Sequence, residues 1–575
     1  MSKFGLLFVT LVVVCLLPTP HSIVVSQEVA AQDEETNLRS LQFQAVELNQ
    51  ASWAHWGPRK DRFSSWTNHS NRLIPVFSFG LKLNPVRGKK SLYRDEAKIK
   101  SLYGYLPEGT FNPEAKYFDQ TDIYQLHQQA RSKGKKHIIL FVFDGMDWQT
   151  LQAAAIYRDK QVNYSKGKGR GIAFQDYKNG QPNFGFCVTS PHNGDTKTDV
   201  DSQVVLVPGT ERRGGFSFQL GGSFPWDRLV DAQYLTGQRR TMRHAYTDSA
   251  ASATSLNAGV KTFNGSINIA PDGKQITTLA HELQKDGFGI GVISSVPISH
   301  ATPACVYSHN VTRSDYQDLT RDLLGLKSVA HREQPLPGVD VLIGGGWGEM
   351  SKEDNRQGIN FVPGNKYLAK QDLDQIDVAN DGKYVVVQRM EGTDGSKALA
   401  EAANEAAENK QRLFGFFGTG GGHLPYATAD GGYDPTRGVS RADRYDEGTI
   451  KENPTLAEMT AAALTVLEKN ETGFYLMVES GDVDWANHNN NIDDSIGAVF
   501  SGEAAFQVAT DWVDANSNWD ESCVVVTADH GHYFVLDDPR GLTGELEPMP
   551  EAEFKKAREE KQARDRAKEK AKENK

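Results

Sequence analysis

The sequence predicts an α/β fold, a three-layer α/β/α sandwich around a large, mostly parallel sheet with loop-rich insertions. Three apolar runs carry that expectation. Ile138 to Phe143 leads into Asp144-Gly145-Met146-Asp147, Phe474 to Val478 into Glu479-Ser480-Gly481-Asp482, and Cys523 to Thr527 into Ala528-Asp529-His530-Gly531-His532. Runs of this length, rich in β-branched residues and without polar alternation, suit strands covered on both faces of a parallel sheet. Ligands of such sheets bind beyond the carboxyl ends of the strands. Uncompensated carboxylates clustered there would repel one another, so strand ends that carry Asp, Glu and His together point to one metal site.

A fourth signal is Thr247 to Thr254, Thr-Asp-Ser-Ala-Ala-Ser-Ala-Thr. Asp248 and Ser249 can cap the first amides of the Ala-rich turn that follows, and Ala250, Ala251 and Ala253 keep bulk away from whatever approaches Ser249. A serine at the positive end of a helix sits where anions bind. An ordinary helix cap is the competing reading of the same residues.

Taken in order, the chain opens with Lys3 and an apolar run from Phe4 to Leu17, followed by Pro18. This reads as a secretory signal over residues 1–31, because the run is shorter than the ~20 residues a membrane-spanning helix needs. The expectation is an exported protein, periplasmic or extracellular, without a stable membrane span. Residues 32–129 carry no chemical motif and read as an N-terminal extension packing on the sheet. The main domain spans 130–545, since its motifs run from Asp144 to His530. Within it, residues 158–243 are rich in Gly, Asn, Asp and Thr and read as a loop-rich insertion near the site entrance. The stretch from Tyr426 to Tyr445 reads as a surface cap. Residues 546–575 mix Lys, Arg and Glu with few apolar residues, a solvated helix or a disordered tail.

Cys15 would leave with the signal. Cys187, Cys305 and Cys523 then remain, too few for more than one intrachain disulfide, and Cys523 reads as a core residue. A formal net charge of -11 disfavours nucleic-acid binding. The pairs Gly214-Gly215 and Gly221-Gly222 lack the Gly-Lys-Ser/Thr ending of a phosphate loop. His423, after the Phe414 to Phe417 run, reads as a polar loop residue with reach into the site as the alternative, His192 reads as a solvated loop residue, and Asp147 and Asp482 read as caps or acceptors for neighbouring groups.

The octapeptide, the strand ending in Asp144-Gly145-Met146, the Glu479 to His488 segment and Asp529-His530 together resemble the alkaline phosphatase family in order and context. Thr302-Pro303-Ala304 followed by Arg313 is a further match, and Asn453-Pro454-Thr455-Leu456-Ala457-Glu458-Met459 is also similar. The matched stretches extend from about His137 to His532. The resemblance implies metal-dependent hydrolysis of small-molecule phosphate monoesters with two Zn2+ and one Mg2+. Ser249 would be the nucleophile and Arg313 a planar fork on two phosphate oxygens. Asp144 would bridge the second zinc and the magnesium. Asp529 and His530 would complete the second zinc, Glu479 and Thr302 would hold the magnesium, and Asp484 and His488 would bind the first zinc from one face of a helix. A phosphoserine would form and be hydrolysed. A homodimer is also implied, although no stripe in the sequence marks an interface.

The sequence departs from the family at the first zinc. A third ligand is expected from a His-Thr-Gly-like segment after Asp529-His530, yet no histidine follows His532, and Gly541-Leu542-Thr543-Gly544 has the neighbours without the imidazole. The chain is truncated, another residue substitutes, or the site is weak. His532 is the nearest candidate, as a ligand or as a residue orienting one. His300, two residues before Thr302, and Trp485 stand where some members carry an acid and a lysine. An imidazole there softens the third metal site and leaves its metal open. Two other functions stay open beside the phosphomonoesterase: a phosphate- or metal-binding homologue without turnover, and a phosphodiesterase variant, which Arg313 suits less well.

Overall fold

Ten strands build the central sheet of the computed structural model, which describes residues 36–180, 182–439 and 444–573. In chain order they are β1 (Ile74–Phe79), β2 (Phe118–Asp119), β3 (His137–Phe143), β4 (Asn183–Val188), β5 (Gly289–Pro297), β6 (Val341–Gly345), β7 (Tyr384–Gln388), β8 (Arg412–Phe416), β9 (Phe474–Ser480) and β10 (Ser522–Thr527). Their spatial order is β7-β8-β6-β5-β9-β3-β10-β1-β4-β2. The seven strands from β7 to β10 are mutually parallel, and β1 runs against both of its neighbours. The fold is thus α/β on a mostly parallel sheet.

The three apolar runs become three adjacent strands. All seven residues of β9 and all six of β10 are buried, as are six of the seven in β3. Both faces of the sheet are covered, which is why these strands need no polar alternation. On β9, Leu476 faces the same side as Gly291 of β5, whose Cβ direction points at Leu467 of the helix Leu456–Leu467. Its neighbour Tyr475 faces the other side, where its hydroxyl donates to Asn257 Oδ1 (2.9 Å) in the helix Ser249–Ala258. The first layer also holds the 25-residue helix Ile492–Asn516, and the second holds Thr121–Ser132 and Leu279–Lys285.

Register then fixes the site. Val142 of β3 pairs with Glu479 of β9 on one side and Thr527 of β10 on the other. Asp144 and Asp529 each lie two residues beyond that row, so three carboxylates from three neighbouring strands converge at one edge. The chain leaves β3 through Gly145 at φ 73°, a left-handed conformation that suits glycine. A Cβ there would lie 2.9 Å from His532 Cδ2 and 3.1 Å from Asp484 Cα. Gly145→Ala is therefore expected to lower unfolding stability by about 1–3 kcal/mol through backbone strain alone; a urea midpoint equal to that of the unsubstituted chain would count against this account.

Several stretches differ from the sequence expectation. The segment 32–129 does more than pack on the sheet, since it supplies β1, inserted between β10 and β4, and the edge strand β2. The segment 158–243 likewise contributes β4 and is not wholly an insertion. His192 is half-buried rather than solvated, held beside Tyr105. The tail forms the helix Glu551–Glu573, whose Phe554 ring meets Phe43 at 5.6 Å and whose Arg558 pairs with Glu47 at 2.7 Å. Cys187, Cys305 and Cys523 are buried and unpaired. The secretory signal expected over residues 1–31 lies outside the described residues. Among the described residues, no helix is long and apolar enough to cross a membrane.

Candidate metal and phosphoryl-transfer site

Asp248 caps the helix Ser249–Ala258 by accepting from the Ala251 amide (3.0 Å), which leaves Ser249 as the first helical residue with its side chain free of capping. Its Oγ lies 3.2 Å from His530 Nε2. Ser249 opens onto a cavity of about 770 Å³ that is also lined by His69, His300, Arg313, Trp485 and His488. The other Asp248 oxygen accepts from the Gly265 amide (3.0 Å) and from Arg313 Nη1 (3.1 Å). Arg313 Nη2 lies 3.3 Å from His300 Nε2, so the guanidinium is held from two sides while remaining at the cavity wall. Burial works against its charge, but Asp248 outweighs that and raises its pKa.

Three ligand-type residues gather at His530, the residue that meets Ser249. Asp144, Asp529 and His530 offer one ligand atom each, all within 4.8 Å of one another, and all three are buried. His530 Nε2 lies 3.4 Å from Asp144 Oδ1 and 3.2 Å from Asp529 Oδ2. Both Asp144 oxygens and Asp529 Oδ2 lack hydrogen-bond partners. The carboxyl groups suffer for it. Burial, then the charges of Asp529, Asp484 and Glu479, push Asp144 well above the usual carboxylate range, and burial pushes Glu479 up to about 8. Buried carboxylates so close together need a cation to stay ionised.

Glu479 and Thr302 flank this trio. Ser294 donates to Glu479 Oε2, whereas Glu479 Oε1 and the Thr302 hydroxyl oxygen are buried without partners. That leaves oxygen donors only, a set suited to a hard cation such as magnesium. His300 lies on the Arg313 side, its Nδ1 unpartnered, and burial together with the Arg313 charge pushes it down to about 3.

A second group of ligand-type residues includes a histidine that the sequence did not single out. His69, Asp484, His488 and His532 place four ligand atoms within 4.8 Å of one another. His69 comes from the segment read as lacking chemical motifs. It is locked in place by a short antiparallel pairing in which Ser70 faces Gly531 and His69 faces His532. His69 Nδ1 lies 2.9 Å from the Thr247 carbonyl and His488 Nδ1 lies 2.6 Å from the Thr67 carbonyl. Carbonyl oxygens only accept, so both Nδ1 atoms carry the proton and both Nε2 atoms present lone pairs. Those Nε2 atoms are 3.0 Å apart, and each is 3.5 Å from Asp484 Oδ1. Two facing lone pairs repel unless a proton or a cation lies between them. Carbonyl-oriented imidazoles beside a carboxylate are a donor set that a zinc-like cation could occupy. His532 Nε2 is bonded to Asp484 Oδ1 at 2.7 Å, which suits it to orient that carboxylate.

The remaining residues resolve more simply. Asp147 caps the helix Trp148–Asp159 and pairs with Arg72 at 2.9 Å. Asp482 accepts from Ser295 (2.7 Å) and Ser480 (3.1 Å). His423, read as a polar loop residue, is buried, stacked on Tyr426 at 4.0 Å, and lines the cavity. The outer wall is completed by Tyr316, Glu349, Lys366 and Tyr367; among the described residues, none of 158–243, expected near the entrance, lines the cavity.

The alkaline phosphatase family model matches residues 221–563. Alkaline phosphatase 3 of Bacillus subtilis (strain 168) is 29% identical over 304 residues, covering 52% of this chain and 53% of that protein. Alkaline phosphatase of Escherichia coli (strain K12) is 29% identical over 330 residues, covering 54% of this chain and 64% of that protein. The chain thus spans between half and two thirds of the length of these relatives. Among solved structures, a cold-active alkaline phosphatase from Shewanella sp. aligns with a TM-score of 0.40 at 21% identity, covering 69% of this chain and 68% of that one.

Proposed function

Since the chain belongs to the alkaline phosphatase family, we propose that it hydrolyses phosphate monoesters through a phosphoserine at Ser249, releasing inorganic phosphate and an alcohol. The observation that carries this reading is Ser249 at a helix start, 3.2 Å from His530, with Arg313 on the wall of the same cavity. Arg313 would grip two nonbridging oxygens of the phosphoryl group, and the free amides of the helix start would favour its negative charge. Ser249 Oγ would attack phosphorus in line as the bond to the alcohol oxygen breaks. The alcohol oxygen departs with the bonding pair and takes up a proton. Water then attacks phosphorus from the vacated side, and the Ser249 oxygen is released and reprotonated.

The donor sets fit the cations that the family resemblance implies. Asp144, Asp529 and His530 would hold a zinc beside Ser249. Asp484, His488 and His69 would hold the other zinc, with His532 orienting Asp484, and Glu479, Thr302 and Asp144 would hold a magnesium. When bound, these cations supply the positive charge that favours the Ser249 alkoxide and offsets charge on the entering and leaving oxygens. The buried oxygens without hydrogen-bond partners on Asp144, Asp529, Glu479 and Thr302 support this assignment. Export and a homodimeric state are part of the same reading.

Purified protein supplied with Zn2+ and Mg2+ should turn over a chromogenic phosphomonoester at alkaline pH. Chelator should abolish turnover, and zinc should restore it. Absence of turnover under every metal condition would leave the chain a phosphate- or metal-binding homologue instead, and a preference for a phosphodiester would point to the other variant.

A further inference from the structure

We propose that His309, Asp322 and His331 form an additional site for a zinc-like divalent cation, separate from the cavity that contains Ser249. Their ligand atoms lie within 4.8 Å of one another, and none of the three lines that cavity. They come from different parts of the chain. His309 follows the helix Ala301–Ala304, Asp322 belongs to the helix Tyr316–Leu324, and His331 lies in the loop beyond it.

The hydrogen bonds sort the donors. His309 Nε2 lies 2.8 Å from the Ile276 carbonyl, an acceptor only, so Nε2 carries the proton and Nδ1 presents a lone pair. That Nδ1 is buried without a hydrogen-bond partner, on a residue only 6% exposed. A buried lone pair facing no donor costs free energy that a metal ion would recover. Asp322 is rigidly oriented, with Oδ2 accepting from the His309 amide (3.0 Å) and Oδ1 from Ser328 Oγ (2.5 Å) and His331 Nδ1 (2.9 Å). His331 keeps partial exposure, which opens the group to solvent ions. His281 stacks on His309 at 5.2 Å, and its Nε2 is likewise buried without a partner, so a third imidazole stands nearby.

An Asp322–His331 ion pair alone would account for two of the residues but would leave His309 Nδ1 without a partner. Two imidazoles and a carboxylate are borderline-soft donors suited to zinc, nickel or copper rather than to magnesium or calcium. A cation here would tie the loop after Leu324 to the segment that runs from His309 to Arg313. The site is therefore structural, a brace behind the arginine.

The test compares zinc content after dialysis into zinc-free buffer, for the full chain and for His331→Ala, by elemental analysis. The expected result is one zinc fewer per chain in the variant. A crystal of the unsubstituted protein should also show an anomalous peak at the zinc edge among His309, Asp322 and His331, resolved from any peaks near Ser249. Equal zinc content in the two proteins overturns the proposal. If His331→Ala does not fold, the anomalous map decides: a peak at this position upholds the site, and its absence there rejects it, whatever is bound at the cavity.

Discussion

Ser249→Ala is expected to lower kcat for a phosphomonoester by at least about 10³-fold, the scale seen when a covalent nucleophile is removed. The structure separates this loss from any damage to the fold. Asp248, not Ser249, caps the helix through the Ala251 amide, and alanine is a better helix former than serine. The Ser249 hydroxyl meets His530 at 3.2 Å, whereas Arg313 is held by Asp248, so removing the hydroxyl leaves Arg313 and the carboxylates in place. Thermal midpoint and metal content should therefore match those of the unsubstituted protein. Acid quenching during turnover of a ³²P-labelled ester should trap label on the unsubstituted chain and none on the variant. Turnover retained within about tenfold would sink Ser249 as the nucleophile, and on the scale above it would mean that water attacks the ester directly.

What could be read from the sequence follows from how local each signal is. The ends of β3, β9 and β10 were legible because a strand buried on both faces must be continuously apolar, and a carboxylate that closes such a run stands out. Asp144, Glu479 and Asp529 announce themselves in this way. That these strands are neighbours in register is a property of the sheet, but the parallel-sheet rule already directs their ends to one edge. Asp484 and His488 are legible for a similar reason, since four-residue spacing on a helix is a local relation. Of the two readings His423 leaves open, the Gly-rich loop favours the solvated one, whereas the turn through Gly422 at φ 84° carries the imidazole against Tyr426 at the cavity wall. The outer wall formed by Glu349, Lys366 and Tyr367 has no periodic signature. It is assembled by an ion pair of 2.7 Å between Lys366 and Glu349 and a hydrogen bond of 2.6 Å from Tyr367 to Glu349.

His69 is the clearest case of a residue whose role is wholly non-local, and replacing it is the second decisive experiment. Asn68-His69-Ser70 contains no apolar alternation, no helical spacing and no second ligand nearby. Only the pairing of Ser70 and His69 with Gly531 and His532 brings its ring to His488 and Asp484. His69→Ala would leave Asp484, His488 and His532, of which His532 is already bonded to Asp484. The variant is expected to lose about one zinc per chain and to lose turnover by more than the roughly 10–100-fold typical when only an orienting partner is removed. His532→Ala supplies that comparison, with zinc weakened but bound at saturating metal. Excess zinc should rescue His532→Ala more completely than His69→Ala. Full zinc content and near-normal kcat in His69→Ala would show that the imidazole is a neighbour of the site and not a ligand, and would return the third position to His532. The distinction matters for catalysis because a site filled by three protein donors keeps a position open for the leaving oxygen, whereas four would close it. With His532 bonded to Asp484, the proposed donors would be Asp484, His488 and His69, and an N-terminal histidine would take the place of the one expected after Asp529-His530.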